Sequence, residues 1–220
     1  MNYTRANPSP RYRDLIAQYR TMHTEGERFL GVPAEQTFSG ISLLPQAQDI
    51  KRLIEQTGST SILDYGSGKG TQYLPQRVEL DGGRWDNVQD YWEVDYVRCY
   101  DPCFVPFSEL PAEKCDGVIS TDVLEHCPED DLPWILDEMF GFAKRFVFLT
   151  IACHPARKRL PNGENAHCTI KSSEWWGGML QQVAAAHPGI AWEAKLYEVP
   201  PGGAKLIEQR LSGPRITAST

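Results

Sequence analysis

Three carboxylates, a glycine-rich turn and a set of histidines are the residues of this chain best placed to do chemistry. Gly66-Ser67-Gly68-Lys69-Gly70-Thr71 follows a short apolar run, residues 61–65. A turn built from glycines lets a ligand approach bare backbone. Asp64 sits just before it, Asp101 stands between Tyr100 and Pro102, and Asp122 lies in the run Thr121-Asp122-Val123-Leu124-Glu125-His126. Imidazole titrates near neutrality, so His126 is the first candidate proton acceptor and His167, further along, the second. Asp122, Glu125 and His126 stand at spacing i, i+3, i+4, which on a helix puts them on one face. Carboxylates with an imidazole can bind a divalent cation, yet the pattern alone favours no metal here. Arg157, Lys158 and Arg159 form a local cationic cluster that could hold a carboxylate or phosphate.

Three nucleotide-type patterns compete for the glycine turn. The dinucleotide fingerprint G-x-G-x-x-G would need a glycine where Thr71 stands. The P-loop pattern would need a glycine in place of Leu63 and a Ser or Thr in place of Gly70, and Asp64 would set a carboxylate beside the phosphates. The third pattern is apolar-apolar-acid-apolar-G-x-G-x-G, met by Ile62, Leu63, Asp64, Tyr65, Gly66, Gly68 and Gly70. Together with Asp101 and the D-V-L-E-H segment at 122–126, it resembles the class I S-adenosylmethionine-dependent methyltransferases over about residues 46–152. The resemblance implies S-adenosyl-L-methionine as cofactor, whose ammonium and sulfonium charges call for acidic partners. It implies a cofactor site of Asp64, Tyr65, Gly66, Ser67, Gly68 and Gly70 at the turn, Asp101 and Pro102 at the ribose, and Thr121, Asp122 and Val123 along the cofactor's edge. His126 and His167 are then the catalytic candidates. The D-V-L-E-H tail implies a small-molecule substrate, a sugar or another hydroxylated metabolite. Two rival readings stand beside this one: a P-loop-like nucleotide kinase, and a non-catalytic cofactor-binding protein that keeps the same fold.

These residues need elements to position them. Residues 1–10 are polar and read as a flexible arm, and residues 11–30 as one or two helices with Leu15, Ile16 and Tyr19 on one face. Residues 46–57 read as an amphipathic helix capped by Gly58. Apolar runs at 61–65, 97–100, 116–120 and 146–151 read as buried strands, with helices expected from 71, over 129–143 and over 173–187. Residues 191–198 and 204–210 could pair antiparallel across Pro200-Pro201-Gly202-Gly203. The alternation predicts an α/β fold, a Rossmann-like doubly wound, mostly parallel sheet. Residues 1–45 form an N-terminal arm and helical cap, and 46–220 the main domain with a substrate loop at 152–176. The short stretch 102–115 leaves little room for a further strand and helix, so Glu93 or Asp95 could displace Asp101 from its role.

Composition bounds the partners. A chain of 220 residues with net charge -7 has no global attraction to nucleic acid or anionic membranes. No apolar run approaches the roughly 18 residues of a membrane span. The six cysteines form no C-x-x-C pair, which speaks against a zinc finger, and without a secretion signal they read as reduced thiols of a cytoplasmic protein. A homo-oligomer is compatible with the sequence.

Overall fold

The computed structural model describes residues 3–199 and 205–213. Helix α1 (Pro10–Glu25) opens the chain, with Ser9 as its N-cap. Helix α2 (Ala47–Thr57) follows two short helical turns at 34–36 and 41–46, and ends on Gly58 in the left-handed conformation. Strand β1 (Ser61–Tyr65) leads into the glycine turn. A small hairpin, β2 (Val78–Leu80) with β3 (Gly83–Trp85), and the short helix α3 (Val88–Trp92) occupy the region before β4 (Tyr96–Tyr100). Then come β5 (Cys115–Thr121), α4 (Leu132–Phe142), β6 (Ala143–Ala152), α5 (Ser173–Ala185), β7 (Ala191–Glu198) and β8 (Ile207–Ser212).

The main sheet has six strands in the order β4-β1-β5-β6-β7-β8. All neighbours run parallel except β8, which pairs antiparallel with β7. The expected mostly parallel α/β sheet is therefore present. Strand β6 shows why its sequence is so apolar. Val147, Leu149 and Ile151 face a core shared with α4 and α5, while Phe146 and Phe148 face a second core shared with α2 and α3. Side chains alternate along a strand, so a strand covered on both faces must be apolar throughout.

Two expectations need correction. No helix begins at 71: the chain makes only a turn at 71–73 and then enters the β2–β3 hairpin. Pro75 removes a backbone donor just where a helix would have to continue. Residues 3–9 are not a loose arm. Arg5 pairs with Glu138, and the Ser9 backbone N–H and hydroxyl both donate to buried Asp131. In keeping with the short stretch between Asp101 and Asp116, residues 102–114 contribute no strand, and the sheet ends at β4. The pairing of β7 with β8 fits the expected antiparallel pair, although β8 starts later; the Pro200–Gly203 turn lies outside the described residues.

Candidate functional site

The sheet order sets where a ligand can lie. From β1 the chain moves outward to β4, then returns to place β5 on the other side of β1. Adjacent loops therefore part at the carboxyl ends of β1 and β5, opening a crevice at the switch point. Two adjoining cavities occupy it, of about 120 Å³ and about 410 Å³. They share Phe38, Gly66, Gly68, Asp122 and His126. The smaller is apolar, roofed by Leu15, Ile16 and Tyr19 of α1, and Asp101 and Pro102 line it. The larger is polar, with Asp64 and Thr121 on one wall and His154, Lys158 and His167 on the other.

The expected residues thus converge with one exception. Asp64, Ser67 and Thr121 line the larger cavity, Tyr65, Asp101, Pro102 and Val123 the smaller, and Gly66, Gly68, Asp122 and His126 both. His167 lines the larger cavity. Gly70 lines neither; a Cβ there would meet the Cys99 thiol and the Phe107 ring. Glu93 and Asp95 precede β4, at the opposite end of the sheet, so Asp101 is the acid at the cavity.

The glycine turn is held by the protein itself. The Gly66 and Ser67 N–H groups donate to Tyr100 O (2.7 and 3.1 Å), Gly68 N–H to Asp101 Oδ2 (3.0 Å) and Lys69 N–H to Phe38 O (2.8 Å). Gly70 N–H reaches Ser67 O and Thr71 N–H reaches Ser39 O. Every donor from 66 to 71 has an internal partner, so the turn offers no ring of free amides to an anion. Gly68 has φ +58°, and a Cβ on it would lie 2.2 Å from Phe38 O. The 37–39 segment packs where a side chain would stand, which is why this position needs glycine.

Burial sets the electrostatics of the two acids. Desolvation pushes the Asp64 carboxyl up to about 7; a hydrogen bond from the Tyr73 hydroxyl (2.8 Å) opposes the rise and the Asp101 charge adds to it. Burial likewise lifts Asp101 to about 6, against donation from the Cys103 and Gly68 amides. Two desolvated carboxylates beside an open crevice favour a cationic guest. Lys69 does not fill that role: its Nζ donates to Thr37 O and His23 O.

Asp122 caps β5 at φ +63°, the left-handed region that a non-glycine residue rarely adopts. Its N–H donates to the Thr150 backbone and hydroxyl oxygens, which hold it there. This bend breaks the helical face expected of Asp122, Glu125 and His126. Residues 124–126 make a single helical turn, and Glu125 faces inward, fully buried, with Oε1 accepting the Ala152 N–H. His126 and His167 do meet, with ring centroids 4.7 Å apart. His126 Nδ1–H donates to Ala166 O (3.0 Å) beside the Tyr19 hydroxyl, and His167 Nδ1–H donates to His154 O (2.6 Å). The carbonyl partners fix both tautomers and leave each Nε2 with a free lone pair. Burial lowers His126 to about 4 and lowers His167 too, so both rings are neutral at pH 7.

Sequence reasoning missed Cys103, which lines the smaller cavity, whereas Phe38, at φ +54° in a turn the sequence offers as a possible contact, lines both cavities. Cys103 carries no motif, and only its packing beside Asp101 reveals it. Trp176 is core, and Trp175 packs beside it under Lys171, so neither is offered to a substrate. Comparison with protein-family models, curated proteins and solved structures finds no match for this chain.

Proposed function

We propose that the chain is an S-adenosyl-L-methionine-dependent methyltransferase of the cytoplasm, acting on a small hydroxylated molecule. One observation carries this reading: the crevice offers two buried carboxylates and no free backbone amides at the glycine turn. A nucleoside triphosphate or dinucleotide needs the reverse, amides for its phosphates and few acids near them. A cofactor with an ammonium group, a sulfonium and a ribose but no phosphate suits the acids. Asp64 would hold the ammonium and Asp101 the ribose hydroxyls. When bound, the cofactor supplies an activated methyl group.

The chain's own residues then have separable tasks. Tyr19 and Phe38 close the apolar cavity and keep water from the reacting atoms. His126 and His167, neutral and with free Nε2 lone pairs, accept hydrogen bonds from an acceptor hydroxyl and orient it. Lys158 sets a cation on the wall of the larger cavity, suited to an anionic group elsewhere on the substrate. Titration calorimetry with S-adenosylmethionine and with ATP tests the reading. One site for the former and none for the latter is expected, with Asp64→Ala weakening binding at least tenfold. Binding of ATP alone would overturn it.

A further inference from the structure

Asp122, His126 and His167 each bring one ligand atom within 4.8 Å of the others, at the junction of the two cavities. We infer that these three residues form a binding site for one divalent transition-metal ion. Asp122 is the exposed member, His126 half-buried and His167 buried, so the cluster has one face toward the crevice and one toward the protein. Each imidazole has its Nδ1–H tied to a backbone carbonyl, His126 to Ala166 and His167 to His154. Metal-binding histidines are held in this way: the outer hydrogen bond fixes the tautomer and turns the other nitrogen's lone pair to the ion. The Tyr19 hydroxyl donates to the same Ala166 carbonyl and fixes it in turn.

The ligand set is not the one the spacing at 122–126 pointed to. Glu125 commits Oε1 to the Ala152 amide, and its backbone carbonyl accepts the Cys168 and Thr169 N–H groups. That last pair pins the substrate loop against the 124–126 turn and delivers His167 to the cluster. Glu125 Oε2 is buried with no hydrogen-bond partner among the described residues, and it lies outside the group of three clustered ligand atoms. Two imidazoles and one carboxylate suit zinc, cobalt, iron or manganese better than magnesium or calcium, which prefer all-oxygen cages. Three protein ligands also leave a coordination position open toward the cavity, as catalytic metal sites do.

Binding needs no cofactor. Only its role rests on the methyl-transfer reading: an acceptor hydroxyl on the ion would lose its proton to solvent more readily, and the two histidines would be ligands rather than bases.

The test uses the full chain stripped with a chelator, Zn²⁺ in calorimetry and Co²⁺ in visible absorption, without any cofactor. One ion per chain and a cobalt d–d spectrum are expected. Asp122→Asn and His167→Gln should each weaken binding by about a hundredfold, while Glu125→Gln keeps it within about threefold. Circular dichroism checks folding; if His167→Gln fails to fold, exposed Asp122→Asn decides alone. Absence of stoichiometric binding, binding indifferent to Asp122→Asn, or loss in Glu125→Gln equal to that in Asp122→Asn would overturn the site. Because S-adenosylmethionine is absent throughout, none of these outcomes touches the cofactor reading.

Discussion

Asp64 shows what a buried carboxyl at the crevice costs a fold. The folded protein holds this carboxyl's proton more tightly than the unfolded chain does, with a value of about 7 against 3.8. Folding stability is therefore undiminished below the ordinary carboxylate range and falls as pH rises toward 7, after which the loss is constant. At about 1.4 kcal/mol per unit, burying the ionised group opposes folding by on the order of 4 kcal/mol at pH 8. Asp64→Asn keeps an oxygen for the Tyr73 hydroxyl and removes the charge. The variant should unfold at higher denaturant than the wild type at pH 8, with the difference vanishing near pH 4. Its affinity for S-adenosylmethionine should fall at least tenfold over the same samples. Wild-type affinity should itself weaken as pH drops from 8 to 6, because protonated Asp64 no longer attracts an ammonium group. Flat affinity across that range would remove Asp64 from the cofactor site.

At the scale of elements, Asp131 joins α1 to the body. Its carboxylate accepts from the Ser9 N–H and hydroxyl and from Trp134 Nε1–H, and the side chain is fully buried. Ser9 also caps α1 by accepting from Tyr12 N–H, so one carboxylate braces a helix start. Asp131→Ala orphans several buried donors at once and should cost about 2–4 kcal/mol. Chemical denaturation measures that loss, and trypsin should cut earlier at Arg11, Arg13 and Arg20 than in the wild type. These elements differ in how far the sequence discloses them. Strands β1, β5 and β6 were legible because each holds a short, mostly apolar stretch bounded by turn residues, and α2 because Gly58 closes it. The same local signals placed Asp64, Asp101 and Asp122 at strand ends, which is where the crevice lies. Asp131 was not legible: its partner Ser9 is far away in the chain, and nothing in an acidic run such as 129–131 marks one member as buried. Likewise the His126–His167 meeting depends on Glu125 carbonyl bonds to 168–169, a tertiary contact with no periodicity to betray it. The helix expected after the glycine turn failed for a different reason, since a glycine turn is compatible with several continuations and Pro75 selects against one of them.

Over the whole molecule, the N-terminal cap and the 152–168 loop, distant in sequence, make a single roof. Leu15, Tyr19 and Met22 of α1 form a separate apolar cluster with Cys103, Leu160 and Ala166, apart from the two cores that flank the sheet. Polar bonds reinforce it: Arg11 pairs with Glu164, Arg28 donates to Pro161 O, and buried Glu27 accepts the Arg159 N–H. A small cluster with its own contacts opens at lower free energy than a sheet buried on both faces, so the roof should exchange amide hydrogens as one unit. Leu160 is fully buried within it. Leu160→Ala removes about 2–4 kcal/mol of packing there. Hydrogen exchange should then rise together in α1 and in 158–168, by more than tenfold, while β1, β5 and β6 keep wild-type protection. On the proposed reading, S-adenosylmethionine would lie between roof and sheet and should restore protection to both roof segments at once. Faster exchange confined to 158–168, with α1 unchanged, would mean that the two segments open separately and that access to the crevice is set by the loop alone.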